Sequence, residues 1–350
     1  MNHEISLGGR TVGADSPAFI VAEMSANHLQ DYDRALRILH AAKAAGADAV
    51  KLQTFTADTI TFNGDSELFR ISGGTLWDGS TYYELYQKAC TPWEWHPKLM
   101  EEARKLDLIC FSSPFDFSAV DLMADLDMPA FKIASYEIND LPLIRYAARL
   151  HKPMIFSTGI ARLEEIERAL EVCRKEGNED VILLKCVSGY PTPYEDVNLR
   201  VIPTLQSAFD CITGLSDHTL SIATAVGSVC LGARMIEKHL TLSRADGGPD
   251  CAFSLEPAEF KEMVDNIRIL EKALGSPAYR LTQIQESERR DQRSLFVVAD
   301  MKAGEAFTPK NVRSIRPGTG LAPLHYEEIL TKKAACAIRK GTPLSWNLVQ

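Results

Sequence analysis

The chain has 350 residues, 45% hydrophobic and 24% charged, the make-up of a folded globular protein with room for one large domain and a small one. Its formal net charge is −9, with acids and bases interleaved, which argues against a nucleic-acid binder and its basic face. A few local lysines still suffice to hold an anionic small substrate against that background.

The eight cysteines are scattered without a C-x-x-C pair, mostly in apolar surroundings, and read as free thiols of a reducing compartment. No basic segment followed by a long apolar run opens the chain, and no apolar stretch is long enough to span a bilayer. The expected location is the cytoplasm.

In chain order, residues 3–10 read as a short hairpin that closes a barrel floor. Apolar runs rich in β-branched residues then predict strands at 18–24, 49–53, 108–112, 130–134, 154–157, 181–186, 211–214 and 233–238. Amphipathic segments between them predict helices at 33–45, 98–105, 119–126, 142–150, 163–176, 201–208 and 221–231. Pro142 suits a first helical turn, where no N–H is needed. Eight alternating units predict an α/β protein with a (β/α)8 TIM barrel. An open doubly wound sheet is the alternative, but no G-x-G-x-x-G follows the first strand. The stretch 56–97, rich in Gly, Trp and Tyr, is long for a barrel loop, and such loops are usually functional. Residues 283–293 form a polar charge run, read as a solvated helix end or linker. Beyond it, short apolar pieces and turn signals predict a small, mostly irregular β domain. The expected division is 1–284 for the barrel, 285–293 for the linker and 294–350 for the small domain.

Barrel enzymes carry their chemistry at the C-terminal strand ends. Two histidines, His218 and His239, close matching apolar runs 21 residues apart. At one rim, two neutral imidazoles side by side are a natural start for a divalent-metal site. Other strand ends deliver Glu23, Lys51, Gln53, Ser113, Lys132, Ser135, Glu137, Ser157, Ser188, Tyr190, Ser216, Glu237 and Lys238. Each alone has an ordinary reading, as a helix cap or a solvated rim charge. Together they form a ring of hydroxyls and ammonium groups around an imidazole pair and carboxylates. Lysines supply charge, and hydroxyls supply directed hydrogen bonds, to phosphate and carboxylate oxygens. The chemistry this suggests is carbonyl activation beside a phosphorylated anion.

On these motifs the chain resembles the sialic acid synthase family. The matching pieces run in order: Ala22-Glu23, Asn27-His28, Lys51-Leu52-Gln53, Ser112-Ser113-Pro114-Phe115-Asp116, Phe131-Lys132-Ile133-Ala134-Ser135-Tyr136-Glu137, Tyr190-Pro191-Thr192-Pro193, Leu215-Ser216-Asp217-His218-Thr219, Ile236-Glu237-Lys238-His239 and Gly247-Gly248-Pro249-Asp250. Arg293-Ser294-Leu295 and Arg316-Pro317-Gly318 resemble that family's antifreeze-like (SAF) domain. The segment Gly74-Thr75-Leu76-Trp77-Asp78-Gly79 is most similar to the pseudaminic acid branch.

The resemblance implies condensation of phosphoenolpyruvate with an acylamino-sugar aldehyde. In the pseudaminic acid branch the sugar is 2,4-diacetamido-2,4,6-trideoxy-L-altrose, and phosphate leaves by C–O cleavage. It also implies a divalent metal, Mn²⁺ or Mg²⁺, on His218 and His239. Lys51 and Ser113 would meet the phosphoenolpyruvate carboxylate. Lys132, Ser135, Ser157, Ser188 and Ser216 would meet its phosphate. Glu23 would handle a proton or position water. Glu137, Tyr190, Asp250 and Arg316 would face the sugar, with Arg316 arriving from a partner chain in a domain-swapped homodimer. N-acetylneuraminate or legionaminate synthesis, with another acylamino-sugar, stays open. So does a non-catalytic sugar- or anion-binding barrel.

Overall fold

A computed structural model describes residues 1–64 and 66–350. The chain forms two compact units, Met1–Gly275 and Ser276–Gln350. The division falls earlier than the expected 284. The helix Pro257–Leu274 stops at Gly275, whose φ of 58° favours glycine. The charge run is more ordered than a linker. Thr282 and Gln285 form a reciprocal capping box that starts the helix Gln283–Glu288.

In the first unit, strands β1 (Glu4–Leu7) and β2 (Arg10–Gly13) pair antiparallel. Gly8 and Gly9 turn the hairpin with φ of 56° and 85°, the backbone that a tight two-residue turn requires. Ile5, Leu7 and Val12 pack with Phe19, Phe111, Ile155, Ile182 and Met235, so the hairpin does plug the barrel floor.

The barrel closes from eight parallel strands: β3 (Phe19–Glu23), β4 (Ala49–Thr54), β5 (Ile109–Pro114), β6 (Phe131–Ile133), β7 (Met154–Ser157), β8 (Val181–Cys186), β9 (Ile212–Asp217) and β10 (Met235–His239). β10 pairs back onto β3, bringing His239 beside Glu23. Side chains alternate across each strand. Ile20, Ala22, Val50, Leu52 and Ile236 face outward to the helices, packing with Ile38, Leu39 and Phe260. Val21, Ala49 and Phe111 face inward. Both faces are buried, which is why the strands read as nearly continuous apolar runs.

All eight expected strands are present. The main difference is β9, which runs to Asp217 rather than stopping at Gly214. A glycine reads as a strand end, but here it lets two backbones approach. A Cβ at Gly214 would lie 2.2 Å from the Met235 carbonyl oxygen.

Helices start where the sequence caps them. Asp31, Asp116 and Asp140 each accept a hydrogen bond from a backbone N–H in the first turn, and Pro142 sits within the first turn of Leu141–Ala148.

The second unit pairs β11 (Ser294–Val297) with β12 (Val312–Ile315) over a core that includes Leu295, Phe307, Val312, Ile329 and Leu344. Most of its other pairings are isolated bridges, as expected of a small irregular β domain. Among the described residues, no helix is long and apolar enough to cross a membrane.

Candidate active site

Inside the barrel, the inward-facing positions turn from apolar to ionic at the C-terminal strand ends. Lys51 is shared by two carboxylates, its Nζ lying 3.0 Å from Glu23 Oε2 and 3.0 Å from Glu237 Oε1. Lys132 Nζ donates to Ser157 Oγ at 2.7 Å and stands 4.0 Å from Glu237. Lys51 also reaches Ser113 Oγ at 3.4 Å, and Ser216 Oγ donates to Glu237 Oε1 at 3.3 Å. Ser135 and Ser188 share a hydrogen bond of 2.7 Å. Glu23 is 0% exposed and Lys132 1% exposed, so these charges answer to one another rather than to bulk water.

That burial sets the protonation pattern. Desolvation pushes Glu23 up to about 7, with Lys51 opposing and Glu237 adding to the push. Burial also favours protonating Glu237, but Lys132 and Lys51 outweigh it and hold its pKa below the ordinary value. Lys51 pays the burial penalty too, yet Glu23 and Glu237 raise its pKa. Burial lowers Lys132 to about 8. The two carboxyls share Lys51 and titrate as a pair, with Glu23 the member that burial drives towards neutrality and Glu237 the one the lysines favour as an anion. At the rim, burial pushes Glu137 up to about 7, and its Oε2 has no hydrogen-bond partner among the described residues.

The imidazoles of His218 and His239 stand with ring centroids 5.3 Å apart. His218 Nδ1 lies 2.9 Å from the Val187 carbonyl oxygen, which can only accept, so Nδ1 carries a proton. His239 Nδ1 is buried with no partner among the described residues, and burial, then His218 and Lys51, push its pKa well below the ordinary value. It is a neutral imidazole. For His218 burial works the same way, but Cys186 and the Val187 carbonyl outweigh it and raise the pKa. His218 and His239 could hold a divalent cation: the Val187 carbonyl takes the His218 Nδ1 proton and leaves Nε2 free as a donor, the arrangement usual for a metal-binding histidine. Among the described residues, no group of three His, Cys, Asp or Glu stands ready to hold an ion. Such a site would keep open positions for oxygen ligands.

Aromatic rings flank the imidazoles. Tyr190 lies 4.6 Å from His218 between ring centroids, and Phe253 lies 4.9 Å from His239. Asp250 accepts a short hydrogen bond from the Ser25 hydroxyl, and Ser25 in turn accepts from Gln53 Nε2 at 2.9 Å. Gln53 also donates to Glu23 Oε1 at 3.2 Å. Ser25 has φ of 46°, an uncommon backbone for a serine, of the kind that clusters at functional sites.

Thirteen of the fourteen expected site residues thus lie at one end of the barrel. Arg316 is the other: it belongs to the second unit, where it is exposed. Lys238, expected in the pocket ring, faces outward and is bound to Asp217. Strand alternation dictates this once His239 and Glu237 face inward. Glu237, Ser25 and Gln53 had no assigned role. For Glu237 the signal was present, since inward His239 places it inward as well. Ser25 opens the short 3-10 helix Ser25–His28, beyond the reach of strand periodicity.

Residues 38–279 match the NeuB family, and residues 292–350 match the SAF domain. The chain is 48% identical over 330 residues to a pseudaminic acid synthase of Helicobacter pylori, covering 94% of this chain and 97% of that protein. It is 37% identical to an N,N'-diacetyllegionaminic acid synthase of Campylobacter jejuni, covering 90% and 95%. Among solved structures, the N-acetylneuraminic acid (sialic acid) synthetase of Leptospira borgpetersenii in complex with citrate superposes with a TM-score of 0.74 at 31% identity. That match covers 82% of this chain and 95% of that one. With its barrel, its rim motifs and its small C-terminal domain, the chain belongs to the NeuB family.

Proposed function

We propose that this chain is a pseudaminic acid synthase. It condenses phosphoenolpyruvate with 2,4-diacetamido-2,4,6-trideoxy-L-altrose and water, giving pseudaminic acid and phosphate. The observation that carries the reading is the division of the barrel mouth. Buried lysines and serines line one part of it, and an imidazole pair with aromatic neighbours lines the other. The greater identity to a relative named pseudaminic acid synthase than to one named legionaminic acid synthase favours the altrose derivative.

Lys51 and Ser113 bind the carboxylate of phosphoenolpyruvate. Lys132, Ser135, Ser157, Ser188 and Ser216 bind its phosphate, where ammonium charge and hydroxyl donors act in a water-poor site. His218 and His239 would hold the divalent cation, Mn²⁺ or Mg²⁺. Bound there, such an ion polarises a carbonyl oxygen as a Lewis acid. Glu137, Tyr190 and Asp250 orient the open-chain sugar, and Arg316 of a partner subunit completes that pocket in a domain-swapped homodimer. The enol C3 attacks the sugar aldehyde carbon, forming the C–C bond, and the aldehyde oxygen takes up a proton. Water then adds to C2, which carries oxocarbenium character. Glu23 positions that water and accepts its proton. The tetrahedral intermediate collapses to the ketone as the C2–O bond to phosphate breaks, and the C2 hydroxyl proton leaves with the departing phosphate oxygen.

Six of the eight thiols are buried or half-buried, in keeping with a reducing cytoplasm as the working location. The test is a panel of acylamino-hexoses supplied with phosphoenolpyruvate and a divalent metal. Phosphate release and product mass are read for each sugar. Turnover of the altrose derivative supports the assignment. Turnover of N-acetylmannosamine alone moves it to the sialate branch, and no turnover with any sugar leaves a binding barrel.

A further inference from the structure

The segment 70–81 lies within the long insertion after β4 and is closed on itself. Arg70 and Thr81 form an isolated bridge. The Ile71 N–H donates to the Ser80 carbonyl at 2.9 Å, and the Gly79 N–H donates back to the Ile71 carbonyl at 3.1 Å. Inside this ring, the Asp78 carboxylate collects the backbone N–H groups of Gly73, Gly74 and Thr75 and the Thr75 hydroxyl, at 2.6–3.2 Å. Gly73 and Gly74 supply φ of 129° and 84°, which aim successive N–H groups at one carboxylate. Such a loop presents a side chain rigidly, at little entropic cost on binding.

The side chain it presents across the barrel mouth is Trp77. Its indole N–H donates to the Pro249 carbonyl at 2.9 Å, and its ring lies 5.6 Å from Tyr190 between centroids. Tyr190 in turn packs on His218 and, at 5.0 Å, on Phe253. An aromatic wall therefore runs from the loop to the imidazole pair. With its N–H already committed, the indole offers the site a π face and no hydrogen-bond donor.

We propose that Trp77 is a specificity-determining residue for the acceptor sugar. Resting on the function proposed above, it deepens that reading. The indole and Tyr190 receive the apolar end of the acceptor, selecting a 6-deoxy acylamino-aldose, whose terminus is a methyl group, over its 6-hydroxy counterpart. A hydroxyl set against the indole face loses water and gains no partner there. Discrimination of this kind is about 10- to 100-fold.

The experiment compares wild type, Trp77→Ala and Trp77→Phe. For each, kcat/KM is measured with a 6-deoxy and a 6-hydroxy acylamino-aldose of otherwise identical substitution, and KM is measured for phosphoenolpyruvate. Trp77→Ala is expected to reduce the 6-deoxy preference about tenfold or more and to leave the phosphoenolpyruvate KM within about twofold. Trp77→Phe is expected to restore most of the preference. Calorimetric binding of the same two sugars reads the preference without turnover. A chain inactive toward phosphoenolpyruvate would fail the proposed reaction and still report on Trp77. An unchanged ratio in Trp77→Ala, by kinetics or by binding, overturns the inference. So does a phosphoenolpyruvate KM that rises as much as the sugar KM.

Discussion

Asp217 and Lys238 form a buried ion pair, Nζ to Oδ2 2.7 Å, one residue before each of the two rim histidines. They are cross-strand partners on β9 and β10, so the pair pins the two strands behind the imidazoles. The ammonium also reaches the Thr219 carbonyl, and the Asp217 carboxylate accepts from the Thr224 hydroxyl at 2.6 Å. Removing one partner strands a charge that water cannot reach. Lys238→Met is expected to cost ~3–5 kcal/mol of stability in urea unfolding. Adding Asp217→Leu, which makes the pair apolar, should recover most of it. A double variant no more stable than Lys238→Met would contradict this account of the pair.

Gly159 is required by the hydroxyls around it. A Cβ there would sit 2.3 Å from Ser188 Oγ and 2.7 Å from Ser135 Oγ. Both serines would have to rotate away, breaking their shared hydrogen bond. Gly159→Ala is predicted to raise the phosphoenolpyruvate KM about tenfold, the worth of about one strong hydrogen bond, with the sugar KM little changed. An unaltered phosphoenolpyruvate KM would remove these serines from the phosphate site.

Glu23→Gln keeps the shape of the side chain and its contact with Gln53 but cannot take a proton. It is expected to lower kcat about 10²- to 10⁴-fold while phosphoenolpyruvate still binds. Steady-state kinetics with a direct binding measurement separates the two effects. Wild-type kcat in this variant would assign the proton to another group.

His28 makes stability fall in acid. It is buried, its Nε2 lies 3.2 Å from Thr91 Oγ1, and Nδ1 accepts from the Gln30 N–H at 3.1 Å. Burial, aided by His96, lowers its pKa to about 4. The unfolded chain, with an ordinary histidine, therefore binds more protons between about pH 6.5 and 4. The contribution is full above that window and is lost as pH falls through it, to a total of ~3 kcal/mol. Urea midpoints across this range should slope downward in acid. His28→Asn should flatten the slope, and an unchanged slope would contradict the assignment.

The barrel was legible because parallel strands buried on both faces leave apolar runs, and because glycine and acidic caps punctuate the helices. The strand-end site followed from counting strands: Glu23, Lys51, Lys132, His218 and His239 project from the positions such a count assigns. Lys238 reads as a pocket residue from its charge alone, but strand alternation with its neighbour His239 turns it outward, onto Asp217. The contact of Trp77 with Pro249 joins residues 172 positions apart, and no local pattern encodes it. The boundary at Gly275 was hidden because the polar run after it reads as a linker until the Thr282–Gln285 capping box is recognised.

The central claim is that the two imidazoles and the lysine–serine cluster form one metal-assisted condensation site. Its most direct test is phosphate release from phosphoenolpyruvate and the altrose derivative with a divalent metal, in wild type and in His239→Ala. Circular dichroism confirms that the variant is folded. The account predicts metal-dependent release in wild type and none above background in the variant. Undiminished release from folded His239→Ala would contradict it.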